Sequence, residues 1–273
     1  NYKMKNIKII AIDVDGTLLN SKKELTLKVK NTILKAKRAG IKIVIATGRP
    51  LSGVEKILTE LGLDDQEDQY VVCFGGGVVE TTAGDVLFEK KLTYDNYLDL
   101  ETISLKLGLH FHASAPDRIY TADRDIGDYT LYEANLVNLG VSYRTPAEMK
   151  DIPIIKCMYV DRQDLLDQKI ADHRPFAHLD DEITFTKTAP FYYEANPKGV
   201  SKGNALKFLC HKLNLSSENL MAIGDEENDL SMIKFAGIGV AMGNAVPAVK
   251  EAAQRVTSDC DHDGVAEAIE KIL

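Results

Sequence analysis

Three times along this chain an apolar run ends abruptly in polar residues. Ile9-Ile10-Ala11-Ile12 breaks at Asp13-Val14-Asp15-Gly16-Thr17, Ile43-Val44-Ile45-Ala46 at Thr47-Gly48-Arg49, and Leu220-Met221-Ala222-Ile223 at Gly224-Asp225. Short apolar runs bounded by turn residues predict buried strands. Over the first eighty residues the pattern predicts strands at 7–12, 42–46 and 70–74, with helices at 25–39, ending at Gly40, and 51–61, closing at Gly62. Such alternation implies a parallel sheet covered by helices on both faces, with ligands bound beyond the carboxyl ends of its strands. Asp13, Asp15 and Thr47 fall at those ends.

From about residue 83 the spacing becomes hairpin-like. It predicts strands at 86–92, 109–113, 118–122, 154–160, 183–187 and 191–195, with helices at 95–107, 128–139 and 163–173. This reads as an α+β module inserted into an α/β core. The core is expected to comprise residues 1–82 and 194–273, and the insert residues 83–193. The last third returns to α/β: a helix at 201–213, a strand at 220–223, a helix at 229–235, a short strand at 239–242 and two closing helices. Asn244 is expected to cap the penultimate helix, with Pro247 in its first turn. The run Gly75-Gly76-Gly77 reads as a tight turn or bulge rather than a phosphate cradle, because no G-x-G-x-x-G opens a helix there.

Composition narrows the functional classes. A chain of 273 residues with 45% hydrophobic content can bury a large core and is long enough for two domains. Its formal net charge of −8 argues against nucleic acid as a partner, since that binding needs clustered Lys and Arg. A phosphorylated substrate would therefore have to meet locally concentrated positive charge. Cys73, Cys157, Cys210 and Cys260 are widely spaced, which indicates neither a zinc site nor a disulfide framework. No apolar run approaches the roughly 20 residues needed to span a bilayer, and no signal-peptide pattern is present. The expected location is the cytoplasm, with no membrane partner.

Two carboxylates at the end of a buried strand ask for a cation, because burying a carboxylate is costly unless something compensates it. Asp-Gly is also a common turn dipeptide, so Asp13 and Asp15 alone leave both readings open. The balance changes with three further elements in order: Ala46-Thr47-Gly48-Arg49, Lys202 at a helix start within Gly199-Val200-Ser201-Lys202-Gly203, and Gly224-Asp225-Glu226-Glu227-Asn228-Asp229. This set resembles the haloacid dehalogenase (HAD) superfamily of phosphoryl-transfer enzymes, whose signature is Asp-x-Asp-x-Thr, a Thr or Ser, a Lys and a Gly-Asp-x-x-x-Asp type motif. Chain length, the Gly-Asp-x-x-Asn-Asp form and the position of the insert resemble the type IIB, or Cof-like, sugar phosphatases. The resemblance covers essentially the whole chain. It implies an α/β fold with a HAD-like, Rossmann-like parallel-sheet core and an inserted α+β type-two (C2B) cap.

By that resemblance Asp13 is the nucleophile, forming an aspartyl-phosphate, and Asp15 the acid and base that serves the leaving oxygen and then the hydrolytic water. The resemblance also implies a Mg²⁺ cofactor, which suits hard oxygen ligands, held by the side chains of Asp13 and Asp225 and the backbone carbonyl of Asp15. Thr47 and Lys202 are the expected phosphate ligands, aided by the N–H groups of Gly16 and Gly48. Thr17 and Asp229 stand behind these. Asp229 either orients metal-bound water or Lys202, or caps the following helix; Asn228 either contacts substrate or bonds its own backbone. Gly75 departs from the Asn-Gly common in the family. His110 and His112 share one face of a predicted strand and are expected to face substrate or solvent rather than metal, while Arg49, Arg118 and Tyr120 either contact substrate beyond the phosphate or pack on the surface. The insert is expected to close over the site and select among small phosphorylated sugars or related metabolites. A phosphomutase of the same fold and a non-catalytic phosphosugar-binding regulator are the alternatives. Neither the motifs nor the composition speaks to oligomeric state.

Overall fold

The computed structural model describes residues 6–273 and divides into two compact units. The first comprises the chain up to Leu51, Glu55–Phe88 and Ser201–Leu273; the second comprises Ser52–Val54 and Glu89–Val200.

The first unit opens with strand β1 (Ile9–Ile12), every residue of it buried. Helix α1 (Leu27–Arg38) follows, capped by the Thr26 hydroxyl, which accepts from the Val29 N–H, and it turns Val29, Ile33 and Ala36 inward at helical spacing. Strand β2 (Lys42–Ala46), a short helix α2 (Glu55–Glu60) and strand β3 (Tyr70–Cys73) continue the alternation. Two further strands, β4 (Val78–Thr81) and β5 (Val86–Glu89), then extend the same sheet. The sequence pattern placed a strand at 86–92 inside the insert, and β4 was not anticipated. Their short, apolar runs carry no signal of which sheet they join, and β4 pairs antiparallel with β3 across a turn.

The second unit carries helix α3 (Tyr94–Leu107), strands β6 (His110–Ser114) and β7 (Arg118–Thr121), helix α4 (Asp128–Val137), strands β8 (Gly140–Tyr143) and β9 (Lys156–Val160), helix α5 (Gln163–Ile170) and strands β10 (Ile183–Ala189) and β11 (Tyr192–Pro197). They form a six-stranded sheet in the order β10-β11-β9-β6-β7-β8. One face buries Phe111, Cys157, Tyr159 and Ala195 with Tyr97, Leu100 and Ile103 of α3 and Leu166 of α5. Alternate positions, pointing the other way, are also covered and mix Met158, Val160 and Tyr192 with polar groups: the Lys156 ammonium pairs with Glu194 at 2.9 Å, and His112 Nδ1 lies 2.8 Å from the Thr130 hydroxyl of α4. His112 is fully buried, so the expectation that it faces substrate or solvent is corrected. Burial and the nearby Lys156 push its pKa down to about 3, which keeps the ring neutral. Strand β8 was not anticipated; the helix expected at 128–139 stops where Asn138 adopts φ +55, a conformation Asn tolerates.

The chain returns to the first unit through helix α6 (Lys202–Lys212), strand β12 (Leu220–Gly224), helix α7 (Leu230–Phe235), strand β13 (Ile238–Ala241), helix α8 (Pro247–Ala252), strand β14 (Arg255–Val256) and helix α9 (Gly264–Glu270). The eight-stranded sheet runs β14-β13-β12-β1-β2-β3-β4-β5, with β1 parallel to both its neighbours. Ile12 pairs with Ile223 on one side and Ile45 on the other, so residues 13, 224 and 46 leave the sheet level with one another. Asn244 does not cap α8; Val246 occupies that position with Pro247 after it. The glycine run forms a tight turn, and Gly76, at φ +106, lies so close to α6 that a β-carbon there would stand 2.1 Å from the Ser201 carbonyl oxygen.

Gly76→Ala is therefore expected to destabilise the protein by about 2 kcal/mol or more, through both the left-handed backbone and the clash. A urea-denaturation midpoint equal to wild type would show that the turn relaxes freely and does not fix the start of α6.

Candidate active site

At the end of β1, Asp13 keeps an extended backbone, and its N–H donates to the Ile223 carbonyl at 3.1 Å. The chain then curls tightly. Leu18 N–H donates to the Asp13 carbonyl and Leu19 N–H to that of Val14, with Gly16 at φ +76 in the bend. A side chain at Gly16 would put its β-carbon 2.2 Å from an Asp225 carboxylate oxygen, so glycine answers both the backbone angle and the close approach. Thr17 is buried and its hydroxyl donates to Asp225 Oδ1 at 3.0 Å.

The second acidic segment follows β12. Asp229 is fully buried, and its Oδ2 accepts from the N–H groups of Asp225 at 2.9 Å and Glu226 at 3.1 Å. Its other oxygen accepts a hydrogen bond from Lys202 Nζ at 2.8 Å, so one side chain both closes the turn and holds the lysine. Gly224 allows this, since a β-carbon there would stand 2.5 Å from that of Asp229.

Lys202 opens α6, where the Ser201 hydroxyl caps the helix by accepting from Asn204 N–H. Its side chain is wholly buried, and Nζ lies 2.6 Å from Asp13 Oδ1 as well as against Asp229. Burial opposes the charged form, but the two carboxylates outweigh it and hold the ammonium above its ordinary pKa. The carboxylate oxygens of Asp13, Asp225 and Asp229 gather within 4.8 Å of one another. Three carboxylates around one ammonium leave two formal negative charges in excess. The consequence falls on Asp13 and Asp225. Burial pushes Asp13 well up, against the pull of Lys202, and pushes Asp225 up to about 6.

That excess tests the fit of a divalent cation. Both Asp229 oxygens are engaged by Lys202 and two N–H groups, which leaves Asp225 and the second oxygen of Asp13, whose Oδ1 already meets Lys202, as the carboxylate groups able to take a cation. An all-oxygen donor set suits Mg²⁺. The residues fit the ion.

Asp15 stands apart from this buried group. Its side chain is half exposed, Arg49 Nη2 contacts both its oxygens at 2.7 and 2.9 Å, and Lys23 Nζ lies at 3.6 Å. Nothing in the sequence spacing pointed to Arg49 as its partner; the link follows from β1 and β2 being parallel neighbours. Thr47 is buried, with its hydroxyl accepting from Arg49 N–H at 3.0 Å and its own proton free to turn outward. Gly48 is exposed beside it, and Asn228 is exposed on the turn at Glu227–Asp229. In the second unit Arg118 is exposed and bonds Ser142, and Tyr120 lies under the Arg144 guanidinium, so both are engaged with their own sheet.

Lys202→Met should cost about 3–5 kcal/mol of stability at pH 7, because it strands buried carboxylates. Folded-state carboxylate pKa values raised above their unfolded values give stability that is present at low pH and lost as pH rises through them. The loss should therefore shrink at pH 5. Equal losses at both pH values in urea titrations would contradict the charge balance described above.

A sequence profile of the haloacid dehalogenase-like hydrolases matches residues 10–269. A Streptococcus pyogenes protein provisionally named a phosphatase is 44% identical over 97% of this chain and 98% of its own length. A Bacillus subtilis 5-amino-6-(5-phospho-D-ribitylamino)uracil phosphatase is 30% identical over 97% of this chain and 95% of its own. Among solved structures, a haloacid dehalogenase-like hydrolase from Bacteroides thetaiotaomicron superposes with a TM-score of 0.87 at 33% identity, covering 98% of this chain and all of that one.

Proposed function

This chain belongs to the haloacid dehalogenase-like hydrolases and is a phosphatase, and from that premise we propose that it hydrolyses small phosphorylated sugars or related metabolites with Mg²⁺, through an aspartyl-phosphate on Asp13. The observation that carries this reading is the buried contact of Lys202 with Asp13 and Asp229 beside Asp225. A carboxylate kept dry and oriented at a strand end is a poised nucleophile, whereas a solvated one is not.

Asp13 would attack phosphorus in line, forming an Asp13 O–P bond as the bond from phosphorus to the leaving oxygen breaks. Asp15, at the wet edge of the site, donates a proton to that oxygen. In the second half Asp15 takes a proton from water, which attacks phosphorus and releases orthophosphate with Asp13 restored. Arg49 steadies Asp15, and the Thr47 hydroxyl and the remaining Lys202 proton hold phosphate oxygens. Asp13 and Asp225 would hold Mg²⁺, which when bound would supply charge neutralisation at the phosphate. Thr17 fixes the Asp225 carboxylate through its hydroxyl. The substrate class is supported by the phosphorylated metabolite, a 5-phospho-D-ribitylamino uracil, named for the Bacillus subtilis relative.

Orthophosphate release from a panel of sugar, polyol and aryl phosphates tests the reading. Asp13→Asn should reduce turnover by at least about a thousandfold, since the covalent path is removed. Asp15→Asn should slow sugar phosphates far more than p-nitrophenyl phosphate, whose leaving group needs no proton. Asp13→Asn turning over like wild type would sink the covalent route, and equal losses for both esters would remove Asp15 as the acid.

Mg²⁺ should also raise the thermal midpoint, and by more at pH 7 than at pH 5. Asp225, lifted to about 6, must lose its proton before it can bind the ion, so affinity grows as pH rises through that value. A pH-independent shift, or an equal one in Asp225→Ala, would place the ion elsewhere.

A further inference from the structure

The sequence pattern offered Asn244 as a helix cap, but the structure uses it differently. Its Nδ2 donates to the Gly16 carbonyl at 2.9 Å, and its Oδ1 accepts from Cys260 N–H at 2.9 Å. Gly16 sits between the proposed nucleophile Asp13 with its partner Asp15 on one side and Thr17 on the other. Two residues beyond Asn244, Val246 N–H donates to the Asp225 carbonyl at 2.9 Å. One short turn after β13 therefore holds the backbone of both catalytic segments, Gly16 of the first and Asp225 of the second.

We infer that Asn244 is a positioning residue for phosphoryl transfer, acting through the Gly16 carbonyl to fix the Asp13–Thr17 bend. A peptide unit is planar, so holding the Gly16 C=O fixes the plane that also carries the Thr17 N–H. At the far side Thr17 is anchored by its hydroxyl to Asp225. Glycine at φ +76 has no side chain to restrain it, which makes an external hold on its carbonyl the more consequential. Carbonyl and carboxamide are matched as acceptor and donor, and a carboxylate in the same place would repel.

The segment beneath supports this role. Asp259, Asp261 and Asp263 follow the spacing of a calcium-binding loop, yet one oxygen of each is engaged within the fold: Asp261 Oδ1 accepts from the Ser21 N–H and hydroxyl, Asp263 Oδ1 from the Thr26 hydroxyl, and Asp259 Oδ1 from the Asp261 N–H. Among the described residues, only Asp13, Asp225 and Asp229 gather at metal-binding distance. The 258–264 segment is thus a brace for residues 16–26, and Asn244 ties that brace to Gly16.

The inference rests on the phosphatase reading above, and the experiment separates the two. Wild type and Asp13→Asn, assayed for orthophosphate release at saturating Mg²⁺, test the reading; ratios of the Asn244 variants to wild type test the inference. Asn244→Ala breaks both links of the side chain. Asn244→Asp keeps the acceptor for Cys260 N–H and puts a repelling oxygen against the Gly16 carbonyl. Both should lower kcat about ten- to a hundredfold with KM within about twofold, for sugar and aryl esters alike, while circular dichroism and the thermal midpoint show a folded protein. Asn244 is exposed, so neither change empties the core. Three results would overturn the inference: near-wild-type kcat in both variants, loss in Asn244→Ala with recovery in Asn244→Asp, or a change confined to KM. The second would mean that Asn244 acts only through the brace.

Discussion

The site depends on one buried ammonium. Lys202 has no exposed surface, and a lysine in that condition is tolerable only because Asp13 and Asp229 lie against it. The dependence is mutual, since the carboxylates could not be gathered at the strand ends without it. Three segments far apart in sequence must therefore arrive together: the end of β1, the first residue of α6 and the turn after β12. Glycines appear where that convergence presses backbone against its neighbours, at Gly16 against Asp225, Gly224 against Asp229 and Gly76 against Ser201. The fold's stability and its chemistry are written into the same contacts.

Two carboxylates two residues apart consequently occupy different electrical surroundings. Asp13 is buried with Lys202 and faces an excess of negative charge, while Asp15 is half exposed and held by Arg49. This division suits one group that makes a bond to phosphorus and another that exchanges protons with water and a leaving oxygen. It arises from the bend itself, because the positive φ at Gly16 turns the chain away from the sheet after Asp15.

Much of this was legible in the sequence because it is local. Apolar runs that end in Asp or Thr announce a strand end, and the parallel alternation of the first eighty residues places those ends on one edge. Family membership and the fold class follow the same motifs. What sequence could not convey depends on contacts between distant residues. The strand at Val86–Glu89 looks alike whether it joins one sheet or the other, and His112 alternates like a surface residue although α4 covers it. Asn244 before Pro247 has the composition of a cap, and only the packing of the β13 turn against the first loop shows that its amide is spent on Gly16. Arg49 reaches Asp15 by strand adjacency, which no spacing within a motif reveals.

The claim at the centre of the account is that Asp13, held by Lys202, bonds covalently to phosphorus. Acid-quenching the enzyme during turnover and reducing it with borohydride would convert an aspartyl-phosphate into homoserine, which peptide mass mapping can locate. The account predicts homoserine at position 13 in a substrate-dependent amount. Homoserine at position 15, or none at any aspartate when turnover is demonstrably under way, would contradict it.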